Sequence, residues 1–512
     1  MISMINLSNL KFYILLFCQI FFLTFIYSTE ASAADKTKFT LVHVNDMDKV
    51  EPYKDRGGVA KLAAVLKKER SDNKTVIFTM GGDTISPSIL STLDHGKHMI
   101  DLYHELKLDY MTLGNHEFDF GPDIAKKWIA QAKFPILSSN VYETDHKRIA
   151  GTVPSAIREI DGFKIGFIGL TTPETKFVSA PGYVTFDPVV ESARDAIKEL
   201  KEQGADFIVA LCHLGVVEDM ALMKANLGID FILGGHDEVL LTFYDSVTGL
   251  MISKSQAEYI SVVDIELERK DFHGVKEVEW TPHFRVVDSQ DVTPDPEMKE
   301  KIASLTKEMH AKFDVPIGKT LTELDSRRAK VRESETALGN LIADSFRDKY
   351  QGDVAIVNGG GLRGNKVYEP DTELTMRDIY TELPFGKHIA VVELSGKELR
   401  RAIEVGLASI KGQSGGFPQV SGMTYVFDAD KKKGERLVEI KVAGQPLDEA
   451  KNYKVVVNEY LFKGGENYDM FQKAKTVVKV TDTPLEASIV VEYIKKLKEI
   501  APKVEGRVKR LH

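Results

Sequence analysis

The chain has 512 residues, 43% of them hydrophobic and 28% charged, with a formal net charge of −9. That length accommodates two or three domains, and the composition is that of a globular protein. The negative balance excludes a global attraction to nucleic acid or to an anionic membrane, so an anionic ligand has to be held by local cations.

Residues 12–28, FYILLFCQIFFLTFIYS, are almost wholly apolar; Lys11 precedes them and Ala31-Ser32-Ala33 follows. A basic start, an apolar core and a small-x-small exit describe a secretory leader. Residues 1–33 are therefore expected to be removed, leaving an exported chain, periplasmic or secreted, with no stable membrane insertion. An uncleaved anchor is the alternative, since the run approaches spanning length. The mature chain keeps one cysteine, Cys212, which rules out an intrachain disulfide.

From residue 37 to about 290, apolar runs (FTLVHV, TVIFTM, YMTL, KIGFIGL, DFIVALCH, DFILGGH) alternate with helical periods such as GGVAKLAAVLKKER and ESARDAIKELKEQG. That alternation predicts an α/β domain over 34–292. DPEMKEKIASLTKEMHAKF (295–313), bracketed by prolines, predicts a connecting helix within 293–316. A second α/β segment, 317–512, follows with helix GNLIADSFRDKY, strand VAIVN, helix GKELRRAIEVGL and strand YKVVVNEY.

Polar residues collect at the ends of the first set of strands. Asp46, Asp83, Asn115, His213 and His236 each stand at or just past the C-terminal end of an apolar run, where open α/β sheets bind ligands. Each taken singly reads as a structural residue, but together they form a set of carboxylate, imidazole and amide donors suited to divalent ions. Asp46 and Asp48 stand two apart at the end of a run that reads as a strand, so strand alternation predicts that they face the same way. Two like charges so placed repel unless a cation lies between them. His43 reads as structural.

In the second segment, VNGGGLRG (357–364) follows a strand, and its glycines, Gly360 among them, allow a backbone to approach a ligand closely. Arg363 supplies a planar fork of donors for an anion. Phe385 in TELPFGKH and Tyr460 in NEYLFKGGENYD form a slot for a planar ring if they face each other. Such a slot discriminates weakly among bases.

NDMD, GGDT, GNHEFDFG, CHLG and GGHDE, in this order and together with the second-segment motifs, resemble the calcineurin-like metallophosphoesterases of the bacterial 5′-nucleotidase and UDP-sugar hydrolase type. The resemblance spans nearly the whole mature chain. It implies an α/β (α+β) architecture: an N-terminal metallophosphoesterase sandwich joined by a helix to a smaller C-terminal substrate-binding domain. It also implies two divalent ions (manganese, magnesium, calcium, cobalt or zinc) bridged by Asp83. Asn115, His213 and His236 would complete one site, and Asp46, Asp48 and Glu238 the other. His116 would stand beside the scissile phosphate, oriented by Asp119. Arg332, Asn358, Gly360, Arg363, Phe385, Tyr460 and Glu466 would contact a nucleotide, and the second domain would rotate between open and closed forms.

The chain departs from the family pattern in four places. Asp48 stands where the family commonly has His, and Glu238 where it has His or Gln; Tyr460 replaces Phe and Glu466 replaces Asp. If Asp48 and Glu238 both bind, the first site is rich in carboxylates and favours hard ions over zinc. The implied reaction is release of phosphate from a nucleoside 5′-monophosphate by metal-activated water. The alternatives are a UDP-sugar, 2′,3′-cyclic nucleotide or sulfur-compound hydrolase on the same scaffold, and a non-catalytic nucleotide-binding protein with an altered first site.

Overall fold

The computed structural model describes residues 35–272, 275–408, 410–412, 414–480 and 483–511. The leader expected at residues 1–33 lies outside them. Among the described residues no helix is long and apolar enough to cross a membrane.

The first strand, Lys36–Val44, is continuously buried from Phe39 onward. It pairs in parallel with Val76–Met80, which pairs in parallel with Tyr110–Thr112. These strands form the centre of a seven-stranded sheet, closed on one side by the long antiparallel pair Tyr259–Phe272 and Val275–Asp288. A six-stranded sheet has Phe163–Thr171, Phe207–His213 and Phe231–Gly234 in parallel at its centre. The sheets face each other across Phe39, Leu41, Ile77, Phe167, Phe207, Val209, Leu211 and Phe231, all fully or almost fully buried. The amphipathic helices Val59–Asp72 and Val189–Glu202 cover the outer faces, each burying one apolar stripe. Because the central strands are parallel, their carboxyl ends lie along one edge of the sandwich, and the polar loops gather there.

The helix Pro296–Phe313 starts at Asp295, whose carboxylate accepts the Met298 N–H at 3.0 Å, with proline in the first turn. It buries Met298, Ile302, Met309 and Phe313 in the first domain's core. Phe313 also meets Tyr380 of the second domain edge-to-face, with ring centroids 4.9 Å apart.

The second domain is built on a five-stranded sheet in the order Pro418–Ser421, Val354–Asn358, Asn452–Asn458, Ile389–Ser395 and Lys475–Val478. Ala337–Tyr350 and Glu486–Leu497 cover one face, and Gly396–Gly406 the other. The parallel pair Val354–Asn358 and Asn452–Asn458 ends in the Gly359–Gly361 and Glu459–Phe462 turns, which places the glycine loop beside Tyr460.

Phe207 touches Phe39 and Trp280 edge-to-face at 5.9 and 5.2 Å between the sheets. Phe207→Ala should lower unfolding stability by about 3–5 kcal/mol in a denaturant titration; a loss below about 1 kcal/mol would mean that the sheets do not pack through this layer.

Candidate active site

Beyond Val44 the chain leaves the strand at once. Asp46 has φ of 50°, and its N–H donates to Gly82 O at 2.9 Å. The expectation that strand alternation aligns Asp46 with Asp48 is thereby corrected, because a left-handed residue breaks the two-residue period. Three more ligand-type residues share that conformation: Asp83 (φ 59°), His236 (73°) and Glu238 (52°). Such backbone persists only where the surroundings impose it, and it clusters at functional sites.

The carboxylates are held from several sides. Asp46 Oδ2 accepts from Asn45 Nδ2 at 2.6 Å and from the His236 N–H at 2.9 Å. Asp48 Oδ1 accepts from Gln256 Nε2. Asp48 Oδ2 is buried with no protein partner. Asp83 Oδ1 accepts the His116 N–H at 2.7 Å, and its Oδ2 lies 3.1 Å from His213 Nε2. Glu238 Oε2 accepts from Ser255 Oγ at 3.3 Å.

His213 Nδ1 donates to Gly81 O at 2.7 Å, which leaves Nε2 aimed inward. That nitrogen is 3.1 Å from Asn115 Oδ1 and 3.3 Å from His236 Nδ1. Among the described residues, Asp83, His213 and His236 form a group whose ligand atoms all lie within 4.8 Å of one another. Asp46, Asp48 and Glu238 stand around it and are not drawn into it.

Burial sets the electrostatics. It is the largest influence on Asp46 and, with the charges of Asp83 and Glu238 acting against His213, pushes that carboxyl up to about 8. Burial raises Asp48 as well. Burial disfavours the Asp83 carboxylate too, yet His213 and His116 hold it below the ordinary range. For His213, burial opposes protonation, but Asp83 and Asp46 raise it to about 10. Burial and the charge of His213 push His236 down to about 4. Protonated imidazole and protonated carboxyl are thus how the protein alone balances this charge. A divalent cation held by Asp83, His213 and His236 would instead favour the ionised carboxylate and leave His213 Nε2 as a neutral electron-pair donor. The residues fit a metal centre.

His116 lies beside this group. Its Nδ1 is 2.7 Å from Asp119 Oδ2, and its Nε2 is 3.9 Å from Asp83 Oδ2. Asp119 Oδ1 accepts from Ser179 Oγ at 2.8 Å. Although burial opposes it, Asp119 and Asp83 raise His116 to about 9, so the ring is cationic at neutral pH.

The second domain meets His116 from the other side. Phe385 stacks on the imidazole at 5.9 Å with planes 22° apart, and the Arg363 guanidinium lies 5.5 Å from the Phe385 ring centre. Burial and the charges of Arg363 and Arg328 push Arg332 down to about 9, while Glu466 and Glu238 act in the opposite sense. Arg332 therefore lies within the field of both domains' acidic groups. Tyr460 packs against Gly465, and Glu466 Oε2 accepts from Ser414 Oγ at 3.2 Å. The Gly360 N–H donates to Gly415 O at 2.7 Å, and a Cβ on Gly360 would stand 2.6 Å from Gly415 Cα, so the two loops meet backbone to backbone. Asn358 donates to Gly415 O at 3.3 Å and accepts from Asn458 Nδ2 at 3.2 Å. Its amide is engaged inside the protein, where it shapes the glycine loop. His43 is fully buried between Thr79 Oγ1 at 2.9 Å and Gly234 O at 3.0 Å, a structural position.

Sequence reasoning missed three supports. Glu117, fully buried, accepts from the N–H groups of Asp83 (2.8 Å), Thr84 (2.7 Å) and Gly114 (2.5 Å), and so clips the Asp83 loop to the Asn115 loop. The acidic residue inside GNHEFD was its signal. Gln256 joins Asp48 to the main chain of Lys49 and Asp46, and Ser179 holds Asp119; neither carries a local sequence signal.

Residues 39–239 match the family model for calcineurin-like phosphoesterases, and residues 316–473 match that for the 5′-nucleotidase C-terminal domain. The chain thus carries a calcineurin-like phosphoesterase domain followed by a 5′-nucleotidase C-terminal domain. The trifunctional nucleotide phosphoesterase protein YfkN of Bacillus subtilis is 28% identical over 92% of this chain, which spans 35% of that protein. The 5′-nucleotidase of Mus musculus is 28% identical over 93% of this chain and 91% of its own length. The crystal structure of a 5′-nucleotidase precursor from Thermus thermophilus superimposes with a TM-score of 0.79 and 29% identity, covering 93% of this chain and 100% of that one.

A Cβ on Gly114 would stand 2.2 Å from Asp83 Oδ1 and 2.5 Å from Asp83 N. Gly114→Ala should therefore displace Asp83 and weaken manganese binding by about 10–100-fold in calorimetric titration. Unchanged affinity would remove Asp83 from the metal centre.

Proposed function

We propose that this chain is an exported, metal-dependent 5′-nucleotidase that converts nucleoside 5′-monophosphates to nucleoside and phosphate. The observation that carries this reading is the position of His116. On one side lie Asp83 and the metal-type donors, and on the other lie Phe385 and Arg363 from the second domain. A ligand at His116 with an anionic end and a planar end meets donors for both.

Asp83, Asn115, His213 and His236 would hold one ion, and Asp46, Asp48 and Glu238, sharing Asp83, a second. When bound, such ions supply a nucleophilic water at neutral pH and neutralise charge on the phosphate. The remaining work falls to the chain's own groups. Asp119 fixes the His116 Nδ1–H, so the Nε2–H faces the space above Asp83 and can donate to a phosphate oxygen as charge develops. Arg363 and Arg332 oppose the same charge. Phe385 and Tyr460 hold the base by stacking, and Glu466 accepts from ribose hydroxyls.

Two outcomes test this reading. The purified mature chain, stripped of metal and refilled separately with manganese, magnesium, calcium, cobalt or zinc, should release phosphate from 5′-AMP with at least one of them. His116→Ala should lower that turnover by about 100-fold or more with an unchanged circular dichroism spectrum; near-normal turnover would remove His116 from the chemistry. The carboxylates of Asp46, Asp48, Asp83 and Glu238 should also make manganese, magnesium or calcium the preferred ion. Metal analysis showing two tightly held zinc ions, with maximal activity in zinc, would overturn that preference.

A further inference from the structure

The loop after helix Met376–Glu382 carries a lysine that the catalytic reading leaves without a task. Lys387 follows Phe385 and Gly386, is only 8% exposed, and extends from the second domain into the first. Its Nζ donates to the backbone carbonyl of Asp119 at 2.9 Å, a buried contact. Asp119 is the residue whose carboxylate holds His116 and Ser179. The segment 385–387 thus touches the His116–Asp119 pair twice, by ring stacking from Phe385 and by a charged hydrogen bond from Lys387.

A buried ammonium is stable only when its charge and its donors are answered. The groups that face it are the carboxylates of Asp119, Glu459 and Glu486, each of which feels its charge, and the Phe385 ring, 5.8 Å away. Glu486 is 1% exposed, has one carboxylate oxygen without a hydrogen-bond partner, and donates its N–H to Lys387 O at 2.8 Å. Its other oxygen accepts from Asn458 Nδ2 at 3.3 Å, and the same amide donates to Asn358 at the root of the glycine loop. Lys387 is therefore anchored in the framework that shapes the nucleotide loops, while its charged end reaches the other domain.

We propose that Lys387 is an interdomain latch: its bond to the Asp119 carbonyl holds the second domain closed on the His116–Asp119 pair. It is a positioning residue, acting through Asp119 and Phe385, and its effect on turnover rests on the nucleotidase reading. Separation of the domains breaks this bond and the Phe385–His116 stack together. The latch thus couples the position of the substrate domain to the alignment of His116.

The test measures closure without relying on turnover. Spin labels on K127C and K433C, both exposed and one on each domain, report the interdomain distance by pulsed electron resonance. The native Cys212 is buried and will not take label. The metal-loaded mature chain should show a short-distance population that Lys387→Met moves largely to longer distances and Lys387→Arg retains. Removing a charged hydrogen bond of this kind should also lower kcat/KM for 5′-AMP by about tenfold or more, with rescue by Lys387→Arg. A K387M distance distribution superimposable on that of the wild type would overturn the latch. If the wild type fails to turn over 5′-AMP, the nucleotidase reading falls while the distance measurement still decides the latch.

Discussion

The structure turns on a charge problem at Asp83. This carboxylate is buried, with Asp46 and Glu117 close enough to feel its charge and Glu238 acting on Asp46 in turn. Like charges in a low-dielectric setting cannot all ionise without a counter-charge. The protein supplies part of it through His213 and His116. The remaining imbalance appears in Asp46, whose carboxyl is pushed up by burial and its acidic neighbours, and in the unpartnered oxygen of Asp48. The arrangement makes sense as a receptacle for cations, and the sandwich provides it. Its parallel strands bring Asp46, Asp83, Asn115, His213 and His236 to one edge, and Glu117 fixes two of the loops to each other through three N–H groups. Left-handed backbone at Asp46, Asp83, His236 and Glu238 costs on the order of 1 kcal/mol or more at each residue. That cost is offset by the packing of two large cores.

The second domain adds what the metal edge lacks. Its own sheet places the glycine loop and Tyr460 at neighbouring strand ends, and the segment 385–387 carries ring, turn and cation to His116. The connecting helix buries its apolar face in the first domain's core and meets the second domain where Phe313 packs on Tyr380. The second domain meets the active-site edge through Phe385 on His116 and Lys387 on Asp119.

Much of this was legible in the amino-acid order. Buried parallel strands read as continuous apolar runs, and the ligand-type residues stand directly after them, so the sheet edge and the five ligand-type residues gathered there were legible in the sequence. The helices Val59–Asp72, Ala337–Tyr350 and Gly396–Gly406 carry their periodicity openly. What failed to show is what depends on the turn or on distant chain. Asp46 and Asp48 are related by a left-handed turn, which a strand-based reading cannot see. Gln256 reaches Asp48 across 208 positions and Lys387 reaches Asp119 across 268; no local pattern encodes such contacts.

The two departures from the family pattern at Asp48 and Glu238 follow the same electrostatic logic. An imidazole at position 48 would add a neutral donor, whereas Asp48 adds a charge, and Glu238 adds another. Glu238 raises the burden on its neighbours, as its effect on Asp46 shows. Both carboxylates also strengthen the field that a hard divalent ion would meet there. Gln256 and Ser255 hold one oxygen of Asp48 and one of Glu238, respectively, and in Asp48 the second oxygen remains free of protein donors. One oxygen of Asp48 is thus positioned while the other has no protein donor, a feature that the proposed role as an ion ligand would account for.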